Sequence, residues 1–443
     1  MISRLKKQYS LKSILIIFVI AIGIGMFPKF TGTDIIAFLL MGVFMFGIVS
    51  FLLNHPDQTM AKILLLAIFL RMALAAFHVY VASLPDSGAD AISFERHGWL
   101  VASAWRDGIP ASEMARITGS YLYSVWIGFW YYLFGRVPLL AQFVNVLFGG
   151  YIVYMVYKIG YEISNSKATA QFACLLAAFF PTLNLYSAIT MRENLVAVFS
   201  IYSVYHFIIW LKKGQLKQVL KSLVPLFLVA PIHQGMVFIG APYLLFFFMY
   251  NPKRSRWSPI DTKTVIYGIL IIILFTTIGG FTLYRIPEIN IMLSVEYLAD
   301  SVETSARDRA AYLKGFTPDS YLDLIWHTPI RVVYLFLAPF PWMVEIAGDL
   351  FGLLDSFLYF ILFVYGIKSI LILRRYNKPV IYAMVLVVIM FSLVFAWGPS
   401  NYGTALRHRQ KIVWLLIAIS SHGLLRSSLI RTIIPVKIKH FNK

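Results

Sequence analysis

Apolar residues fill the chain in blocks of about twenty, separated by short basic, polar, proline or glycine breaks. A block of that length matches the hydrocarbon thickness crossed by one α-helix. Spans are predicted near 11–27, 35–53, 61–83, 139–157, 168–188, 194–211, 264–284, 350–373, 379–397 and 411–425. The stretch 218–250 is too long for one span, and Pro231 and Gly235 break it, so it reads as a hairpin of two short helices. Runs 119–134 and 329–343 read as partly inserted or interfacial helices on the outer side, the second because it ends in Ala338-Pro339-Phe340-Pro341-Trp342. The predicted fold class is all-α: a polytopic transmembrane bundle of about 11–13 helices with external amphipathic helices. No internal repeat or soluble domain stands out, so residues 1–443 read as a single integral membrane domain.

Composition agrees with the pattern. Hydrophobic residues make up 59% and charged residues 13%, where a soluble domain carries about 25% charged. A soluble enzyme, a disordered chain and a disulfide scaffold are thereby excluded. Cys174 is the one cysteine, which rules out an intramolecular disulfide or a cysteine metal site. The 39 basic and 20 acidic residues leave a net charge of +19. Most of the basic residues flank apolar blocks, which is a topology signal, and no nucleic-acid partner is expected. Arg4, Lys6, Lys7 and Lys12 lie before and at the start of the first block, which lacks a small-residue cleavage site and reads as an uncleaved anchor. Clusters at Lys212–Lys213–Lys217, Lys253–Arg254–Arg256, Arg374–Arg375–Lys378 and in the tail (Arg426, Arg431, Lys437, Lys439) mark the cytoplasmic side. Both termini are then cytoplasmic in a multi-pass plasma-membrane protein. The segments 84–118, 286–328, Gly398–Gln410 and the turns at Met191–Glu193 and His233 face outward.

The outward segments hold the candidate chemistry. In 84–118, Asp86 and Asp90 sit at the mouth of a span, followed by an amphipathic stretch with Phe94, Val101 and Trp105 at helical spacing. A carboxylate there suits a general base that takes a proton from an acceptor hydroxyl. Helix capping or loop solvation accounts for the same residues equally simply. Arg192 opens a helix, where the dipole does not favour a cation. An anionic neighbour, either Glu193, a loop carboxylate or a ligand phosphate, explains it better. Arg407, His408 and Arg409 place three potential cations on the outer side, against the basic-inside rule. A lipid phosphate would account for them, as would attraction to membrane headgroups. His233 could bind phosphate, shuttle a proton or be hydrogen-bonded core. Arg71 lies inside a span and must face the bundle and pair. The segment 286–328 mixes charges of both signs and reads as a solvated polar cap, in which Arg307 and Arg309 could add a basic contact. No Gly-rich phosphate loop, HExxH pair or Cys/His metal set occurs.

An ordered set of elements runs from Asp90 to about His206. Asp90 is followed by Phe94 and a helix closing at Gly108; then come an aromatic run from Tyr121 to Leu133-Phe134-Gly135, Asn145 in an apolar span, a Tyr-rich exit and Pro181 near the end of the next span. This order resembles the membrane-embedded glycosyltransferases of the GT-C fold, including the protein mannosyltransferase and aminoarabinose transferase relatives. The resemblance implies a GT-C-like bundle and a polyprenyl phosphate or diphosphate sugar donor. The acceptor it implies is a lipid-linked or cell-surface glycan. Asp90 matches the family's loop carboxylate, a base or metal organiser, with Asp86 the alternate; a divalent metal is left open. Arg192, Arg407, Arg409 and His233 would hold the departing phosphate. Many relatives carry adjacent acidic residues in this loop, whereas Asp86 and Asp90 lie four apart, and the Arg192 turn also resembles polymerases that join polysaccharide repeat units. The readings in order are membrane glycosyltransferase, repeat-unit polymerase or ligase, and transporter or flippase. The last would need a polar path through both leaflets.

Overall fold

The computed structural model describes residues 32–110, 119–257, 294–306 and 308–433, with isolated positions between 262 and 269. The predicted span 11–27, most of 264–284, Arg307, Lys437 and Lys439 lie outside them. The helices are α1 (Gly32–Leu53), α2 (Gln58–Tyr80), α3 (Ala89–Arg106), α4 (Leu122–Phe134), α5 (Pro138–Ser164), α6 (Lys167–Phe179), α7 (Pro181–Ala188), α8 (Glu193–Lys213), α9 (Leu216–Val229), α10 (Ala241–Met249), α11 (Val295–Ser305), α12 (Tyr321–Leu337), α13 (Asp349–Leu373), α14 (Lys378–Phe395), α15 (Tyr402–Leu425) and α16 (Ser428–Ile433). A small antiparallel hairpin, β1 (Tyr250–Asn251) and β2 (Arg256–Trp257), pairs Tyr250 with Trp257. The all-α polytopic class holds.

Helices α2, α5, α8, α13 and α14 are long and apolar enough to cross a bilayer, and the α6–α7 pair makes a sixth crossing if counted as one broken span. That is fewer crossings among the described residues than the predicted dozen, for local reasons. Pro181 breaks the predicted 168–188 span, and Phe180 before it is extended, as a residue preceding proline prefers. The 218–250 run is α9, a turn, a 3-10 helix over Gln234–Gly240 and then α10, so the hairpin reading holds. The predicted span 411–425 is the second half of α15, whose first half carries Arg407 to Lys411. Helices α4, with 13 residues, and α12, with 17, fall short of the roughly 20 a crossing needs.

Local sequence fixes the helix ends. The Asp57 side chain accepts from the Met60 amide at the start of α2, and Gly214 closes α8 in the left-handed region, φ 62°. Ser320 and Asp323 form a capping box on α12. Hydrogen bonds from the Ser320 hydroxyl and from backbone amides hold the Asp323 carboxyl below the usual carboxylate range. Protonating it at low pH removes that cap.

Contacts divide the chain into two compact units. The first comprises Met1–Ile117, Tyr121–Gly150 and Leu183–Met191; the second comprises Thr118–Ser120, Tyr151–Thr182 and Arg192–Lys443. In the first unit α3 packs on α4 through glycines. A Cβ at Gly98 would lie 2.5 Å from Ile127 Cγ2, and one at Gly128 would lie 2.7 Å from Val101 Cγ1. Glu95 locks the pair by accepting from Arg136 at 2.8 and 2.9 Å and from the Tyr131 hydroxyl at 3.0 Å. Gly128→Val is therefore expected to destabilise the protein by about 1–3 kcal/mol, as overpacking does. A thermal melt in detergent reads this; an unchanged midpoint would mean the two helices are free to separate.

In the second unit α13 lies along α15, with Ser369 Oγ accepting from the Gly423 amide at 2.6 Å. The loop before α15 is pinned twice. Residues 310–312 pair with it through Tyr312 N to Ser400 O (2.8 Å) and Tyr402 N to Ala310 O (3.0 Å). Buried Arg331 donates to Ala396 O, Pro399 O and Ser400 Oγ at 2.9–3.1 Å. The segment expected to be a solvated cap is thus partly structural. Its Arg309 makes a bidentate pair with Asp349 at 2.6 and 3.0 Å.

Candidate functional site

Two polar neighbourhoods, one in each unit, contain the residues singled out by the sequence. In the first unit, the chain leaves α2 into a turn closed by Ser87 N donating to Leu84 O at 3.3 Å. Pro85 and Asp86 occupy its centre, and Asp86 has φ 57°. Proline followed by a left-handed residue is the type II pattern, which favours Gly or Asn where Asp86 stands. Left-handed non-glycine residues are uncommon and concentrate where function holds them. The Tyr186 hydroxyl on α7 donates to Asp86 Oδ2 at 2.9 Å, and Tyr186 itself is buried. Asp90 is exposed in the first turn of α3, near the positive end of the helix dipole. The N-cap there is Gly88, which offers no side-chain cap. Asp86 thus takes a hydrogen bond from Tyr186, and Asp90 is accessible to solvent.

The frame beneath them is built from buried polar contacts. Arg71, wholly buried, donates to Ser187 Oγ at 3.2 Å and Ala67 O at 3.1 Å. A Cβ at Gly149 would collide with both Ser187 Oγ and Arg71 Nε, so only glycine leaves room for this contact. Asn145 donates to the carbonyls of Ile189 and Met191 at 2.8 and 2.9 Å, holding the turn that precedes Arg192.

In the second unit Arg192 is the N-cap of α8 and donates to Ile232 O at 2.8 Å, which ties it to the His233 turn. The His233 ring lies 5.5 Å from His408 and 5.3 Å from Phe395. Lys411, one turn beyond Arg407 and His408, is 1% exposed, donates to Arg407 O at 3.0 Å and lies 3.5 Å from Glu193 Oε1. Gln410 donates to Asn194 Oδ1 at 3.0 Å. Three buried atoms here, Glu193 Oε2, His408 Nδ1 and Gln410 Oε1, meet no partner among the described residues. Buried polar atoms ordinarily are paired, so a polar ligand or water belongs beside them. Arg192, Arg407 and Lys411 gather near Glu193, a concentration of basic side chains suited to an anion.

Arg409 departs from this group. Its Nε lies 2.9 Å and its Nη2 2.7 Å from Asp355 Oδ2. Nη1 donates to Phe336 O and Ala338 O, both at 2.7 Å, and Nη2 also to Ser356 Oγ at 3.1 Å. Thr182 donates to the other Asp355 oxygen at 2.9 Å. Both charges are fully buried, and the guanidinium donors are all engaged within the protein. The phosphate role expected for Arg409 is therefore corrected to a structural one. The reason is the helical step: about 100° per residue turns Arg409 away from the face shared by His408 and Lys411.

The order of elements along this stretch already resembles one family. Residues 120–279 match the family model described as dolichyl-phosphate-mannose-protein mannosyltransferase. That family has the GT-C fold, and the match, with the long apolar helices, supports a multi-pass membrane glycosyltransferase of that type. No curated protein and no solved structure matches the chain. The mannosyltransferase match takes in α4 to α10, with Asn145, Pro181, Arg192 and His233. Asp86, Asp90, Arg407 and Lys411 lie outside it. Sequence reasoning missed Tyr186 and Lys411; it offered Glu193 as an anion for Arg192 but did not foresee its approach to Lys411. The signal for Lys411 was present, three and four residues after His408 and Arg407 on one helix face. Among the described residues no cluster of three or more His, Cys, Asp or Glu side chains gathers as for a metal.

Proposed function

We propose that the protein transfers a sugar from a polyprenyl phosphate or diphosphate donor to a lipid-linked or surface glycan acceptor on the outer face of the membrane. Asp90 deprotonates the acceptor hydroxyl, and Asp86, oriented by Tyr186, is the second carboxylate. Arg192, Arg407, Lys411 and His233 hold the departing phosphate, whose negative charge grows in the transition state. His408 and the free oxygen of Glu193 border the same pocket, where Glu193 accepts from a hydroxyl of the donor sugar or from water and not from the phosphate. The observation that carries this reading is the cation-rich cluster with three unpartnered buried polar atoms. The mannosyltransferase match supports the class of reaction.

The test is mass spectrometry of lipid-linked saccharides from cells lacking the protein, complemented with wild type or variants. A precursor short by one sugar, cleared by wild type only, is the expected result. Arg192→Gln and Arg407→Gln are each expected to weaken donor use by about tenfold, since a hydrogen bond to a charged group contributes about 1.5–3 kcal/mol. Build-up of complete, unpolymerised repeat units would instead favour a repeat-unit polymerase or ligase, the reading suggested by the concentration of charge at Arg192 and α15. In that case the arginine variants, and not Asp90→Asn, would abolish the product.

A further inference from the structure

A second basic site lies in the second unit, away from the residues just described in sequence. It is a cavity of about 700 Å³ whose lining includes Lys212, Arg375, Lys378, Tyr250, Trp257 and Tyr382. Three helices of membrane-spanning length end there: α8 at Lys213, α13 at Leu373 and α14 at Lys378. The cavity therefore sits at the level where the hydrocarbon gives way to water. Tyrosine and tryptophan favour that level, and Tyr250 and Trp257 pair across the β1–β2 hairpin with their rings 5.7 Å apart.

The frame of the cavity is fixed and its charge is uncompensated. Lys212 donates to Glu162 Oε2 at 2.7 Å, and the Asn377 amide donates to the carbonyls of Glu162 and Ile163 at 3.1 and 3.2 Å. These bonds tie the ends of α5, α8 and α14 together. Glu162 neutralises Lys212, and among the described residues no acidic side chain lines the cavity. Arg375 and Lys378 are exposed and meet no carboxylate among the described residues. Lys378 stands 5.7 Å from the Tyr382 ring, a cation–π distance that leaves its donors available. Below Arg375, at four-residue steps along α13, Ile367 and Leu371 are exposed, 61% and 49%. An apolar stripe that ends in a cation matches a molecule with an acyl chain and an anionic head.

The geometry points to a binding site for an anionic phospholipid, its phosphodiester held by Arg375 and Lys378 and its acyl chain laid along Leu371 and Ile367. The basic clusters around the cavity are those that the sequence assigns to the cytoplasmic side, whose leaflet carries the anionic lipids. The chemistry shared with a free phosphate is the phosphate group itself; the acyl stripe is what singles out the lipid.

The experiment is native mass spectrometry of the full-length protein in detergent, titrated with phosphatidylglycerol or phosphatidylcholine, with and without millimolar inorganic phosphate. Wild type is expected to retain phosphatidylglycerol over phosphatidylcholine. Arg375→Gln with Lys378→Gln is expected to weaken that retention about 30-fold, from roughly fivefold for each basic residue at a membrane surface. Both side chains are exposed, so the double variant keeps its fold, which an unchanged thermal melt would verify. Brominated phosphatidylglycerol is expected to quench Trp257, compared with Trp257→Phe. Equal retention of the two lipids, or no change in the double variant, would overturn the proposal. Displacement of the lipid by inorganic phosphate alone would overturn the lipid as occupant and leave a free-phosphate site.

Discussion

Asp90→Asn is expected to lower sugar transfer about 10³-fold while leaving the amount of folded protein unchanged. Loss of a general base typically costs 10²–10⁴ in rate. Asn keeps the shape and polarity of Asp90 in the first turn of α3, where the side chain is exposed. The dipole contribution to the helix end that the change removes is a few tenths of a kcal/mol. Asp86→Asn is expected to cost less, about tenfold. Asn tolerates the left-handed φ of 57° as well as Asp does, and its carbonyl oxygen still accepts from Tyr186. Tyr186→Phe should reproduce that smaller effect, because it removes the hydroxyl that orients Asp86. Product formed in complemented cells, normalised to protein in the membrane, measures all three. A reversed order, with Asp86→Asn losing 10³-fold and Asp90→Asn little, would make Asp86 the base. Near-wild-type activity in both would sink the carboxylate mechanism.

Removing one side of the Asp355–Arg409 pair is expected to be the most damaging change to stability. Arg409→Met leaves a fully buried carboxylate with Thr182 as its remaining partner among the described residues, and Asp355→Leu leaves a buried guanidinium. Breaking such a pair from one side costs about 3–5 kcal/mol. Replacing both, Asp355→Leu with Arg409→Met, should recover much of the loss, because two apolar side chains need no solvation. Thermal midpoints of the three purified variants give the comparison. The double variant also tests the structural role of Arg409. If it folds and transfers sugar with an unchanged donor KM, Arg409 does not contact the donor; a folded double variant with a sharply raised donor KM would return Arg409 to the phosphate site.

The parts of this molecule that follow local rules were legible in the sequence. Pro231 breaks its run where expected, Gly108 and Gly135 close α3 and α4 at positive φ, and the apolar runs of α2, α5, α8, α13 and α14 become long helices. The parts that depend on distant partners were not. Glu193 and Lys411, or Asp355 and Arg409, lie far apart in sequence, and apolar periodicity is silent on which buried charges meet. Asp355 did carry a signal: an acid inside an apolar block needs a partner. The same helical step that separates Arg409 from His408 could also have been drawn from the sequence. The runs 119–134 and 329–343 stand apart from the spans in the sequence, and the helices they form, α4 and α12, are too short to cross.

The two units are interleaved along the chain, which sets an order for their completion during synthesis. The first unit closes only when Leu183–Met191 has been made, long after Asp86 and Asp90 have left the ribosome. Until Tyr186 arrives, the turn that holds Asp86 lacks the hydroxyl that orients it, and Arg71 lacks Ser187. A nascent chain halted between residues 150 and 183 would therefore carry its candidate carboxylates unset. The second unit begins before the first ends, so neither can be cut away as a continuous segment. Chain splitting and recombination of the two halves would have to keep α7 with α2 and α3 for the carboxylate site to form.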